Sequence, residues 1–187
     1  MNLYLGIDLG IHLAATAIDD VLCCRWQYYQ KRTKEESPCE SLRRLLVRAQ
    51  EELYLMGDPR VEAMSNGVVV CAERAWLKPL PGKNRIDARS LFGLAEQLGY
   101  LCYWTEQLYR GSTYTVDDSA AMAKSTGIHK DCREEVMPTK INGIDRKRFL
   151  GPKGGKEALS HVADSEYLAF VAHRQVTWEQ KIAGAVI

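Results

Sequence analysis

Apolar and β-favouring residues form three short stretches at the start of the chain, separated by turn-forming residues. The stretch 3–8 alternates, 13–18 is an apolar run, and 22–29 is rich in aromatic and β-favouring residues, so a strand is predicted over each. Gly10 breaks the first stretch, and Asp19 and Asp20 are typical of a turn after the second. Three sequential strands joined by short turns predict an antiparallel meander.

Helical spacing replaces the strand patterns after Pro38, which is tolerated in a first helical turn. Apolar residues then recur at helical spacing over 42–55, and Gly57 begins a strong stop signal. The next apolar run, 67–73, has no alternation. Such a run is typical of a strand covered on both faces, as in a parallel sheet.

The second half of the chain is less regular. An amphipathic helix closed by Gly99 is predicted over 88–98, and a fifth strand over 100–104. The segment 109–155, which includes a short helix predicted over 117–124, is interpreted as a variable region. A final helix is predicted over 156–174. The order β-β-β-α-β-α-β, then α, indicates an α/β fold with a mixed sheet and helices on its faces.

Composition narrows the class of protein. The 187 residues suit one domain, which we expect to span 1–187. A net charge of +1 gives no global basic field, although a local basic surface remains compatible with nucleic-acid binding. The apolar runs are too short to span a membrane, and no signal peptide is apparent, so a cytoplasmic protein without membrane association is expected.

The six cysteines form no CxxC pair, which favours reduced thiols; Cys71 and Cys102 are expected within strands.

Acidic residues occur where an apolar core would not favour them. Asp8 lies inside the first strand, and Glu73 ends the most apolar strand. Asp164 lies beside the apolar stripe of the last helix, with His161 three residues earlier on the same helical face. Clustered carboxylates repel one another, and hard oxygen ligands favour Mg²⁺, with Mn²⁺ as a substitute. If these elements converge, the sequence predicts a divalent-cation site that activates water and stabilises a leaving oxygen.

Each acid also has a structural interpretation when it is considered alone. Asp8 suits a turn, Glu73 suits an ion pair with a nearby Arg or Lys, and Asp164 suits a solvated helix surface. His161 is also more often structural than catalytic on a helix. The order of the acids along the chain, rather than any one of them, favours the functional interpretation.

Three segments carry a resemblance to a known family: YLGIDLG, VVVCAERAW and SHVADSEYLAFVAH. In this order they resemble the motifs of RuvC-type Holliday-junction resolvases, and the divergence of the rest of the chain suits a phage or organellar branch. The resemblance implies a ribonuclease H-like five-stranded sheet, with three antiparallel strands followed by parallel ones. It implies Asp8, Glu73, Asp164 and His161 as the metal-binding and catalytic residues. The implied activity is two-metal hydrolysis of branched DNA, including four-way junctions, by a homodimer with two symmetric sites.

The resemblance also implies a DNA-contacting surface. Trp76, three positions after Glu73, matches an aromatic residue that stacks on unpaired bases in the family; its structural alternative is packing. Basic residues that follow it, and others near the last helix, would contact phosphates. They are Lys78, Lys83, Arg85, Arg89, Lys153 and Lys156, with Lys147 and Arg148 as further candidates.

Two other functions stay open. The stretch IDLGIHLAATAI also resembles the phosphate-binding hairpin of the actin and sugar-kinase group, although 187 residues are few for its usual two domains. A non-catalytic junction-binding module on the same fold is the other alternative. The segment 109–155 does not match the resolvase pattern, which leaves the DNA path and the dimer interface undetermined.

Overall fold

The structure is a computed structural model, and it describes residues 3–55, 68–73, 88–108, 111–116, 140–141, 144–145 and 156–185. The strands are β1 (Leu3–Asp8), β2 (His12–Asp19), β3 (Cys24–Lys31), β4 (Val68–Glu73), β5 (Ser112–Val116), β6 (Lys140–Ile141) and β7 (Ile144–Asp145). The helices are α1 (Pro38–Leu55), α2 (Ala88–Tyr103), a π-helical turn (Trp104–Leu108) and α3 (Lys156–Ala185).

Five of the strands form one mixed sheet in the order β3-β2-β1-β4-β5. β1 and β2 are antiparallel, as are β2 and β3, which confirms the predicted meander. β4 pairs in parallel with β1, and β5 pairs in parallel with β4. β1 is therefore central, with an antiparallel neighbour on one side and a parallel neighbour on the other. β6 and β7 form a separate antiparallel pair.

Both faces of the sheet are covered by helices, as predicted. On one face, alternate residues of each strand, such as Leu5 on β1 and its neighbour Val70 on β4, form an apolar core with α1 and α2. On the other face, Tyr4 and Cys71 pack against α3 at Leu168. Burial on both sides explains why β1 and β4 contain almost no polar residues except at their ends.

α3 packs against β1 without an intervening side chain at Gly6. A Cβ atom at this position would lie 2.2 Å from the backbone nitrogen of Ala169. Only glycine allows a helix backbone to approach a strand this closely. Gly6 therefore fixes the distance between β1 and α3.

A buried polar network also joins α3 to the sheet. The hydroxyls of Thr16 on β2 and Ser165 on α3 are 2.8 Å apart. The side-chain amide of Gln27 on β3 donates to Thr16 Oγ1 and to Glu166 Oε1, at 2.9 Å in each case. All four side chains are buried. Because buried polar groups are costly without partners, this network disfavours sliding of α3 along the sheet.

The prediction of a fifth strand over 100–104 was wrong. α2 does not end at Gly99 but continues to Tyr103, the π-helical turn follows, and the fifth strand is β5. The reason is tertiary: Gln97, Leu101 and Trp104 are buried at helical spacing on the face that packs against the core. This burial outweighs the cost of about 1 kcal/mol for glycine inside a helix. Cys102, expected in a strand, is consequently helical, whereas Cys71 lies in β4 as predicted.

The final helix was predicted correctly but extends further, to Ala185. Of the segment 109–155, the described parts contain β5 and the β6–β7 pair. The helix predicted over 117–124 lies outside the described residues. Among the described helices, none combines the length and apolar character needed to cross a membrane.

Candidate metal centre

Asp8 is the last residue of β1, and its side chain lies on the face of the sheet that α3 covers. Side chains alternate along a strand, so Asp8 shares a face with Gly6 and Tyr4. Tyr4 packs among α3 residues, and Gly6 contacts the α3 backbone. The chain turns immediately afterwards at Gly10, whose φ of +147° favours glycine. The central strand thus delivers a carboxylate to the edge of the α3 interface.

α3 contributes the other two members of a compact group. His161 and Asp164 are three residues apart and lie on one side of the helix. His161 Nδ1 and Asp8 Oδ2 are 2.5 Å apart. One ligand atom each from Asp8, His161 and Asp164 can be chosen so that all lie within 4.8 Å of one another, close enough to share a metal ion. We call these three residues the acidic site.

The electrostatics of the acidic site favour added positive charge. Asp8 is 6% exposed, and burial raises the pKa of its carboxyl above the ordinary value of 3.8. The hydrogen bond and charge of His161, together with the charge of His12, act in the opposite direction but only partly compensate. Two carboxylates at such short range also repel each other. A cation with hard-ligand preferences fits this combination of carboxylate oxygens and one imidazole nitrogen.

Glu73 lies on the neighbouring strand, next to Asp8. The parallel pairing of β1 with β4 puts Ile7 opposite Ala72, so Asp8 and Glu73 are the next residues on the two strands. Glu73 is partly buried and shares a strand face with Cys71, which packs against α3. Its carboxylate is not part of the acidic site as defined by the ligand-atom distances. The role of Glu73 as a metal ligand therefore stays a prediction.

The architecture around this site matches solved structures. Thermus thermophilus RuvC in complex with a Holliday junction substrate superimposes with a TM-score of 0.51 and 13% identity, covering 92% of this chain and 98% of that chain. The chain has the RuvC fold. A second Thermus thermophilus RuvC structure gives a TM-score of 0.51 with 15% identity over 89% of this chain and 90% of the other. No protein-family model and no curated protein matches the chain.

The match confirms the ribonuclease H-like mixed sheet that the sequence resemblance implied. At 13–15% identity the likeness establishes the RuvC fold alone. The fold alone does not assign a function to the acidic site. Within this RuvC fold, the structure brings together Asp8, His161 and Asp164 as predicted and puts Glu73 on the adjacent strand.

Two residues near the acidic site were missed from the sequence. His12, the first residue of β2, stacks on His161, and its Nδ1 lies 2.7 Å from the hydroxyl of Tyr29 on β3. The parity of the strands offered a signal, because His12 has the same parity as Thr16, which contacts α3. The contact itself joins three elements distant in sequence, and no local pattern reveals it.

The predicted DNA-contacting side chains lie outside the described part of the RuvC fold. Arg89 and Lys156 are in the first turns of α2 and α3, but their side chains are not described. The remaining predicted residues are in segments that the structure does not describe: Trp76, Lys78, Lys83, Arg85, Lys147, Arg148 and Lys153. Their roles stay predictions.

Proposed function

We propose that this chain is a metal-dependent endonuclease that hydrolyses phosphodiester bonds of branched DNA, with four-way junctions as its substrate. The observation that carries the proposal is the acidic site, which joins the central strand of a RuvC fold to its last described helix. The substrate follows from the RuvC likeness, since one of the matched structures is bound to a Holliday junction.

We propose Mg²⁺ as the natural cofactor, with Mn²⁺ able to replace it. Asp8 and Asp164 would hold it together with Glu73, which lies on the adjacent strand next to Asp8. When bound at such a site, two divalent ions supply an activated water and stabilise the leaving oxygen. His161 would be a further ligand or would orient the attacking water. Because Asp8 is buried, little solvent reaches its carboxylate, and its charge interaction with a bound ion would be stronger than in water.

The remaining expectations follow as parts of the same proposal. Trp76 would stack on unpaired bases at the branch point, and the predicted basic residues would contact phosphates. A homodimer would present two identical sites to opposed strands. We propose that residues 1–187 form one nuclease domain, supported by the coverage of 92% of the chain in the structural match. The proposed location is the cytoplasm, or the host cytoplasm if the chain is encoded by a phage.

The decisive experiment measures nicking of a synthetic four-way junction in Mg²⁺ by the wild type and by Asp8→Asn. We expect cleavage by the wild type and a loss of activity in the variant. Glu51→Gln, which removes an exposed acid from α1 on the opposite side of the sheet, is the matched control and should cleave normally. Equal cleavage by the wild type and Asp8→Asn would refute the proposal. A linear duplex of the same sequence distinguishes junction specificity from general nuclease activity.

A further inference from the structure

A row of three aromatic rings leads from β3 across β2 to the acidic site. The rings of His12 and His161 are parallel, with centroids 5.0 Å apart and planes 6° apart. The rings of Tyr29 and His12 follow at 6.1 Å and 21°. The separation of His12 and His161 matches the offset stacking that aromatic side chains prefer, whereas Tyr29 and His12 meet through a hydrogen bond. His12 therefore contacts His161, and Tyr29 in turn contacts His12.

The hydrogen bond to Asp8 leaves part of the orientation of His161 undetermined. It holds Nδ1 2.5 Å from Asp8 Oδ2. A hydrogen bond tolerates a range of angles and the χ2 torsion of histidine is broad, so small rotations of the ring about χ2 keep this contact. The direction of Nε2, on the far side of the ring, changes with these rotations. A flat neighbour against the ring face removes the remaining freedom.

His12 is in turn held by Tyr29. The Tyr29 hydroxyl lies 2.7 Å from His12 Nδ1 and fixes that ring in its plane. Tyr29 itself packs against the buried side chains of Ala14 on β2 and Val162 on α3. Val162 directly follows His161 in the chain. Tyr29 is thus anchored to the same turn of α3 whose imidazole the row supports.

His12 supports the acidic site without belonging to it. Among the described residues, the group of ligand atoms that could share a metal ion contains His161 but not His12. His12 contacts His161 through its ring face rather than through a nitrogen. This geometry suits a residue that orients a neighbour and does not suit a ligand.

We propose that His12 and Tyr29 are positioning residues that hold the imidazole plane of His161 at the acidic site. The use of the oriented ring rests on the proposed function. The orientation itself is a property of the protein without any ion or DNA. The two can therefore be tested separately.

The first test observes the His161 ring by NMR in histidine-labelled, metal-free protein. His12→Ala removes the stacked face, His12→Phe keeps a flat face, and Tyr29→Phe keeps its packing but loses the hydroxyl. We expect the ring-current shift of His161 to disappear in His12→Ala, to persist in His12→Phe, and to weaken in Tyr29→Phe. His173→Ala, which removes a histidine three turns further along α3, is the control and should leave the His161 signals unchanged.

Identical His161 ring signals in the wild type and His12→Ala would overturn the proposal. Backbone amide signals of β1 and α3 show whether each variant is folded. If His12→Ala fails to fold, the comparison of Tyr29→Phe with the wild type decides instead, since that variant removes a single oxygen atom.

The second test measures cleavage of the four-way junction. Loss of a group that orients a metal-site histidine typically costs about 10–100-fold in activity, and we expect a fall in kcat of this order for His12→Ala, with KM unchanged. His12→Phe should recover most of the rate. A His12→Phe variant as defective as His12→Ala would overturn the positioning role, because the imidazole itself would then be required. If the wild type does not cleave at all, the proposed function fails while the NMR comparison still decides the inference.

Discussion

Gly6 on β1 and Ser165 on α3 lie so close together that a Cβ at position 6 would stand 2.1 Å from the carbonyl oxygen of Ser165. Gly6 is two residues before Asp8 on the same face of the strand, and Ser165 directly follows Asp164. The contact between the two backbones therefore sets the separation between the strand that carries one carboxylate and the helix that carries the other. The absence of a side chain at Gly6 therefore allows Asp8 and Asp164 to lie close together.

Gly6→Ala should accordingly damage both the fold and the site. The added methyl group must push α3 away, and overpacking of this kind typically costs about 1–3 kcal/mol of stability. Cleavage should fall as well, because a misplacement of about 1 Å can reduce rates by about 100-fold. Urea unfolding and junction cleavage measure the two effects.

Gly99→Ala is the matched control, because a Cβ at Gly99 in α2 meets nothing within 4 Å. Replacing a helical glycine with alanine should raise stability by about 1 kcal/mol and leave cleavage unchanged. If Gly6→Ala is as stable and as active as the wild type, the close contact does not govern the site.

The pH dependence of stability should reveal the strain of burying Asp8. Its pKa is raised by burial, so between its ordinary value of 3.8 and its value in the folded protein, the folded state binds more protons than the unfolded state. In EDTA, the contribution of Asp8 to the free energy of unfolding therefore falls as pH rises through this interval. Asp8→Asn lacks the titrating group and should not show this decrease.

As a consequence, metal-free Asp8→Asn should be at least as stable as the wild type at neutral pH, although we expect it to lose cleavage. Thermal or urea unfolding in EDTA at several pH values checks this. A variant that is clearly less stable than the wild type at neutral pH would contradict the assignment of Asp8 as a carboxylate under electrostatic strain.

Divalent cations should relieve that strain. Mg²⁺ or Mn²⁺ should raise the Tm of the wild type, since a ligand that binds only the folded state at 100 times its Kd stabilises by about 2.7 kcal/mol. Asp8→Asn and Asp164→Asn should lose most of this shift, whereas Glu51→Gln should keep it. Thermal shifts of equal size in all four proteins would mean that the cations bind elsewhere.

Cys71 reports on the integrity of the sheet. Burial raises the pKa of its thiol to about 12, whereas Cys23 is exposed. Because the thiolate is the reactive form, iodoacetamide should modify Cys23 rapidly and Cys71 only when β4 separates from its neighbours. Peptide mapping by mass spectrometry, with and without urea, measures both rates. Similar rates in the native protein would show that β4 opens readily.

Much of the sheet could be predicted because its strands carry local patterns. The β-favouring, mostly apolar residues of β1 and β2 and the uninterrupted apolar run in β4 reflect burial of these strands. The end of α2 could not be predicted in the same way. Gly99 is a local stop signal, and the burial of Leu101 and Trp104 that overrides it depends on the assembled core.

The acidic site was predictable in its members but not in its geometry. Asp8 is conspicuous as an acid in an apolar strand, and His161 and Asp164 are conspicuous through their helical spacing. The support by His12 and Tyr29 depends on strand register and on the closeness of α3 at Gly6. These are long-range relationships, and an individual sequence carries no local periodicity that records them.

The hydrogen bond between Asp8 and His161 joins residues separated by 153 positions in the chain. During synthesis, a ribosome-bound chain already holds the first strands while α3 has yet to be translated. The acidic site therefore cannot form until α3 has been synthesised, and any activity that depends on the site must wait for that step. If the proposed function holds, truncated products that lack α3 should be unable to cut nucleic acid.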